Sequence, residues 1–192
     1  MMKRIAPLLI GLAWPGLTCA TRIYDSTPGN SQTDRPAANS PALHIWNTNP
    51  SNLSVRRAEF YGDLKSPTET LKFFIADSSG SILSSTVVDM TDAGLGFYGV
   101  DVDWTLSAGS TYYICATTLS SGAIFRYDTE FDTQNGIQSL ANGNFEGFAE
   151  PILTGIAGAR MSWRLSDAVP EPATATALVA GLAALIVRRR RR

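Results

Sequence analysis

Gly99-Val100-Asp101-Val102-Asp103-Trp104-Thr105-Leu106 is the stretch that decides the fold class. Val100, Val102 and Trp104 alternate with Asp101 and Asp103, and a period of two places one set against a core and the other in water, as in a half-buried strand. Met161, Trp163 and Leu165 alternate with Ser162 and Arg164 in the same way, so Trp104 and Trp163 are expected inside. Leu71 to Asp77, Ile82 to Val88, Thr111 to Thr117 and Ala123 to Tyr127 are short and rich in β-branched or aromatic residues. Turn chemistry separates them at Ser78-Ser79-Gly80, Thr91 to Gly96, Ser107-Ala108-Gly109 and Ser120-Ser121-Gly122. No stretch from 53 to 168 sustains helical periodicity over three turns. Seven or eight antiparallel strands predict an all-β domain over 53–168, an antiparallel β-sandwich of jelly-roll-like or immunoglobulin-like arrangement, with a closed barrel as the alternative.

Upstream, residues 21–52 are rich in Pro, Asn, Ser and Thr. They read as a loosely ordered lead-in with one short strand at Leu43 to Trp46. Residues 1–20 have the three-part layout of a secretory signal peptide: Lys3 and Arg4, an apolar core from Ile5 to Leu17, and Thr18-Cys19-Ala20. Cleavage is expected between Ala20 and Thr21. Gly16-Leu17-Thr18 before Cys19 fits a lipoprotein signal poorly.

Downstream, Ala173 to Val187 is uncharged and made mostly of Ala, Leu, Val, Ile and Gly, and it runs into Arg188, Arg189, Arg190, Arg191 and Arg192. This reads as a transmembrane helix with a cationic stop. As a helix it spans about 22 Å, short of a hydrocarbon core of roughly 30 Å, so insertion leans on arginines that snorkel to the lipid surface. The positive-inside rule leaves the arginines in the cytoplasm and the folded domain outside.

Val169, Pro170, Glu171 and Pro172 stand just before that helix. V-P-E-P, an apolar helix and a terminal arginine cluster, in that order, resemble the PEP-CTERM sorting signal of Gram-negative bacteria, also catalogued as an ice-binding-protein C-terminal motif. The resemblance covers 169–192. It implies an integral-membrane exosortase that recognises Pro170, Glu171 and Pro172 and removes the tail, with delivery of the cargo to the cell surface or extracellular matrix. The chemistry agrees, because two prolines remove two backbone donors and hold the strip extended at the membrane surface. Leu53 to Leu165 also looks like the β-sandwich of many exported PEP-CTERM proteins, in Gly99 to Leu106, Ala108-Gly109-Ser110-Thr111-Tyr112-Tyr113 and Asn142-Gly143-Asn144-Phe145.

Apolar residues make up 44% and charged residues 17% of the 192-residue chain, which excludes a disordered polar chain and a coiled coil. Between Thr21 and Asp167 nine Lys/Arg stand against sixteen Asp/Glu, a net of −7. Phosphate neutralisation needs the opposite balance, so no nucleic-acid partner is expected. His44 is the only histidine and lies in the lead-in, and Cys115 has no cysteine partner once the signal is removed. A catalytic triad, a tetrahedral zinc site and an intramolecular disulfide are therefore not expected, and Cys115 reads as a small sheet or core residue.

Two acidic alternations remain, Asp101 with Asp103, and Asp128 with Glu130 and Asp132. Each can be a charged solvent face, a set of calcium ligands, or a carboxylate pair on a sugar bond. The solvent-face reading is preferred because glycine-centred calcium-loop spacing is missing, and neither metal nor cofactor is assigned. Trp46, Tyr98, Tyr113 and Tyr127 are the candidate glycan contacts, as aromatics that do not all fall on the inward phase of their strands. The sequence thus predicts an exported, non-enzymatic surface or matrix protein with a structural or adhesive role. A carbohydrate-binding module that retains exopolysaccharide is the alternative.

Overall fold

A computed structural model describes residues 21–26, 31–34, 40–120, 123–128, 131–157 and 160–167. They form two antiparallel sheets and contain no helix long and apolar enough to cross a membrane. The expected signal peptide, the V-P-E-P strip, the 173–187 segment and the arginine cluster lie outside the described residues.

The first sheet is built around β4 (Leu53–Asp63). Along one edge β4 pairs with β7 (Gly96–Leu106). Along the other it pairs with β14 (Trp163–Ser166) through residues 57–60 and with β9 (Ile124–Asp128) at Gly62 and Asp63. β1 (Arg22–Asp25) then adds to β14 and β2 (Ser31–Asp34) to β9, and β13 (Arg160–Met161) pairs with the far part of β9. Ser162 is the joint between β13 and β14. Its carbonyl accepts from the Tyr61 amide at 2.8 Å and its amide donates to the Arg126 carbonyl at 3.1 Å, so β4, β9 and the last strands meet there.

The second sheet runs β11 (Ile137–Glu146), β3 (Ser40–Asn47), β8 (Thr111–Thr118), β5 (Thr68–Asp77) and β6 (Ile82–Thr91). β10 (Thr133–Gln134) and β12 (Ile152–Ala157) share the outer edge of β11. The β10–β11 turn is Asn135-Gly136, both at positive φ (48° and 74°), the tight hairpin geometry that an Asn-Gly pair favours. At the β5–β6 turn, Asp77 Oδ1 accepts from the Ser79 and Ser81 amides at 2.8 and 3.1 Å while Gly80 takes φ of 86°.

The sheets face each other across one apolar core. Phe60, Trp104, Phe125, Trp163 and Leu165 of the first meet Leu43, Ile45, Phe73, Ile114 and Ile137 of the second, all buried. Phe60 is the hub, with ring centroids 4.8 Å from Phe125, 5.7 Å from Tyr98, 5.8 Å from Phe73 and 6.1 Å from Trp163. The ring of Trp163 also meets Phe73 edge-on at 6.1 Å, which ties the two sheets directly. The arrangement is a sandwich; among the described residues no strand pairing closes the two sheets into a barrel.

The strand expected at Leu43 to Trp46 is present within β3, but the loosely ordered lead-in expected over 21–52 is corrected. Tyr24 of β1 is fully buried, and β3 sits between β11 and β8 in the second sheet, so the sandwich begins at its first described strand and not at Leu53. Brief apolar spots suffice there because neighbouring strands supply the rest of each buried surface.

Truncating Phe60 to Ala should cost about 3–5 kcal/mol, the range for emptying a buried aromatic site. Denaturant unfolding measures it, and a loss below about 1 kcal/mol would contradict the hub role.

Candidate functional site

The outer face of the second sheet holds the densest group of chemistry-bearing side chains. Directly paired residues share a face, so His44 with Tyr113 and Trp46 with Thr111 line it, as do Phe74 with Cys115. Most of this face is roofed. After β11 the chain turns at Gly147 and returns as β12, with Lys72 Nζ donating to the Ala149 carbonyl at 2.6 Å. Leu153 then packs with Phe74, Ala76, Tyr113, Cys115 and Phe145 in a second small core. Gly143 makes the close approach possible, since a Cβ there would lie 2.8 Å from both Leu153 and Tyr113.

His44 stacks on Tyr113 with centroids 4.2 Å apart and an interplanar angle of 22°. Its Nδ1 lies 3.1 Å from the Ala141 carbonyl, so the tautomer that satisfies both carries the proton on Nδ1. Nε2 is then a buried acceptor without a partner among the described residues. Burial lowers the His44 pKa, opposed by the Ala141 hydrogen bond, and burial raises those of the Tyr113 phenol and the Cys115 thiol. The Cys115 sulfur lies 3.7 Å from the Ser40 and Ala116 carbonyls. A thiolate–imidazolium pair needs the opposite shifts, so these groups stay neutral at pH 7 and pack rather than react.

The four candidate glycan contacts do not converge. Tyr98 is 6% exposed and belongs to the main core; it shares the parity of Val100 and Trp104, so the strand period itself turns it inward. Its hydroxyl donates to Asp92 Oδ1 at 2.8 Å, which holds the Asp92 carboxyl below the usual range. Tyr113 points outward from its sheet as expected, yet is 3% exposed beneath the β12 segment. Tyr127 is half-buried against the main core. Trp46 alone keeps an open ring, at 39%.

The acidic alternations divide. Asp101 pairs with Arg57 at 2.7 Å and Asp103 with Arg56 across β4 and β7. A register shift between Val55 and Arg57 lets both consecutive arginines reach out to the two carboxylates. Asp132 instead knits the end of the sandwich: Tyr24 Oη donates to Oδ1 at 2.8 Å, Ser139 Oγ to Oδ1 at 3.0 Å and Gln134 Nε2 to Oδ2 at 2.6 Å. The Asp128 side chain and Glu130 lie outside the described residues. Among the described residues no group of three or more His, Cys, Asp or Glu is placed to hold a metal.

Sequence reasoning missed the His44–Tyr113 stack and the Asp132 cluster. The Asn135-Gly136 pair was a usable signal for the second, because it fixes the hairpin that brings Gln134 and Ser139 around Asp132.

Two outcomes follow from this geometry. A neutral His44 contributes its full stabilisation above the ordinary imidazole value of 6.5, and that contribution is lost as pH falls from there through the lower folded value. The melting temperature should drop from pH 7 to pH 5, and His44→Phe, which keeps a ring on Tyr113, should flatten that slope in a pH series. Asp132→Ala removes the acceptor of three hydrogen bonds and should cost about 1–3 kcal/mol in denaturant unfolding. The loss should be equal in millimolar calcium and in chelator. No family model matches the chain, and no curated protein or solved structure matches it.

Proposed function

We propose that the chain is an exported protein of a Gram-negative bacterium, processed by an exosortase at the inner membrane and delivered to the cell surface or extracellular matrix. There the sandwich has a structural or adhesive role and no catalytic activity. The address rests on the ordered V-P-E-P, apolar and arginine segments of 169–192.

One structural observation carries the reading of the rest. The Thr21 amide donates to Asp167 Oδ1 at 2.8 Å, and the Asp167 amide donates to the Thr21 carbonyl at 3.1 Å. The first and last residues of the described sandwich therefore meet, so segments before and after it depart from one point. Thr21 is also the residue that signal cleavage after Ala20 would leave at the N-terminus. Its nitrogen would then become an ammonium facing the Asp167 carboxylate. Such a domain is cargo suited to having both addresses cut away.

Neighbours in the second sheet, such as β11 with β3 and β3 with β8, are distant in the chain. This wound connectivity is shared by jelly-roll-like and immunoglobulin-like sandwiches and is absent from a meander. The alternative role, a carbohydrate-binding module for exopolysaccharide, keeps the exposed Trp46 ring in its favour and loses the wider aromatic platform.

Replacing Pro170, Glu171 and Pro172 together with Ala in an exosortase-bearing host tests the address. The parent should appear as a shortened form beginning at Thr21, and the triple variant should accumulate uncut in the membrane fraction. Equal processing of the two would contradict the proposal.

A further inference from the structure

The sheet edges are not alike. β7 presents Asp101 and Asp103 outward beside two arginines, and the far edges are divided among β1, β2, β10 and β12, none longer than six residues. Charges and short strands are the usual means of keeping an edge from pairing with another chain. β6 is different. Its ten residues, Ile82–Thr91, pair among the described residues on one side only, with β5, and include no Pro, Gly, Lys or Arg and a single charge at Asp89. A bulge at Leu83 limits the regular ladder to Ser84–Thr91, and Leu83 and Val87 are 57% and 56% exposed.

We propose that the β6 edge is a self-association site, at which β6 of a second copy of this chain pairs antiparallel across a two-fold axis at Val87. A two-fold perpendicular to the sheet keeps inner faces with inner faces and sets each residue against its mirror position. Centred on Val87, it opposes Val87 to its own copy, Thr86 to Val88, Ser84 to Met90 and Ser85 to Asp89. The only charge on the strand then meets a hydroxyl donor, and the exposed valine is covered by its counterpart. A centre at Asp89 would oppose two carboxylates, and a centre at Thr86 would leave Asp89 against the Leu83 bulge. The choice of registers thus follows from where the one charge lies.

The chain's own tail fits the edge less well. It leaves the sandwich after Asp167, next to β14 and β1, on the opposite side of the first sheet from β7, whereas β6 runs directly into β7. Pro170 and Pro172 also lack the amide donors a ladder requires. This inference stands whether or not the export reading holds, since it depends only on the edge.

Disulfide trapping in the full chain tests it, in a Cys19→Ser background with Cys115 buried. Directly opposed Cβ atoms lie about 4.5–5.5 Å apart in an antiparallel pair. Val87→Cys should therefore give a covalent dimer under mild oxidation, at least tenfold more than Thr105→Cys on the β7 edge. A second variant, Val87→Lys, should abolish the dimer that sedimentation finds in the parent, with its unfolding midpoint unchanged. A monomeric parent, or a Val87→Cys yield no greater than that of Thr105→Cys, would overturn the proposal.

Discussion

Phe60 against Phe73, with Trp163 edge-on to the second ring, is the contact on which the rest of the molecule depends. Neither sheet can stand alone, because each has an apolar face that only the other covers. Aromatic rings bury about 150–250 Å² apiece and add specific edge geometry, so a cluster at the centre of the interface fixes both the separation and the rotation of the sheets. The hub also determines how the ends are used. Trp163 reaches Phe60 only because the last strands are hydrogen-bonded between β4 and β1, with the Ser26 amide donating to the Trp163 carbonyl at 3.0 Å. The N-terminal strand is thereby part of the core rather than an appendage.

At β8 the second sheet is buried on both faces, and this explains its chemistry. β8 is buried at every residue from Tyr112 to Thr118, which is why Thr111 to Thr117 reads as a nearly continuous apolar run instead of an alternating one. Tyr112, Ile114 and Ala116 enter the main core, while Tyr113 and Cys115 enter the small core under Leu153. Low polarity beneath that roof favours the neutral forms of His44, Tyr113 and Cys115 together. The same roof stops short of Trp46 and of β6, leaving the open aromatic ring and the open sheet edge on the molecule's surface.

The strands with the clearest period were legible from sequence: β5, β6, β7, β8, β9 and the Met161 to Leu165 region all lie where alternation or β-branched runs place them. What alternation does not encode is what covers the outward face. Tyr113 has the outward parity expected of it, and a strand far along the chain buries it. Tyr98 had the inward parity of Val100 and Trp104, and there the period was the better guide. β3 was legible only as a short strand at Leu43 to Trp46, and β1 was masked by the Pro- and Asn-rich sequence around it; β3 extends further because Pro41 lies beside the β11 irregularity at Leu140 to Gly143, where a missing donor is tolerated. Asp101 and Asp103 were legible as a solvent face; their arginine partners required the register shift in β4, which no local pattern announces.

The central claim is that the described residues between Thr21 and Asp167 form one sandwich in which β1 and β3 are integral strands. Native-state hydrogen exchange tests it most directly. The account predicts that the Leu43 and Ile45 amides of β3 exchange only with global unfolding, at the rate of those in β8, and that Tyr24 is protected with them. Exchange of Leu43, Ile45 and Tyr24 at the rate of exposed loop amides, while β8 stays protected, would contradict it.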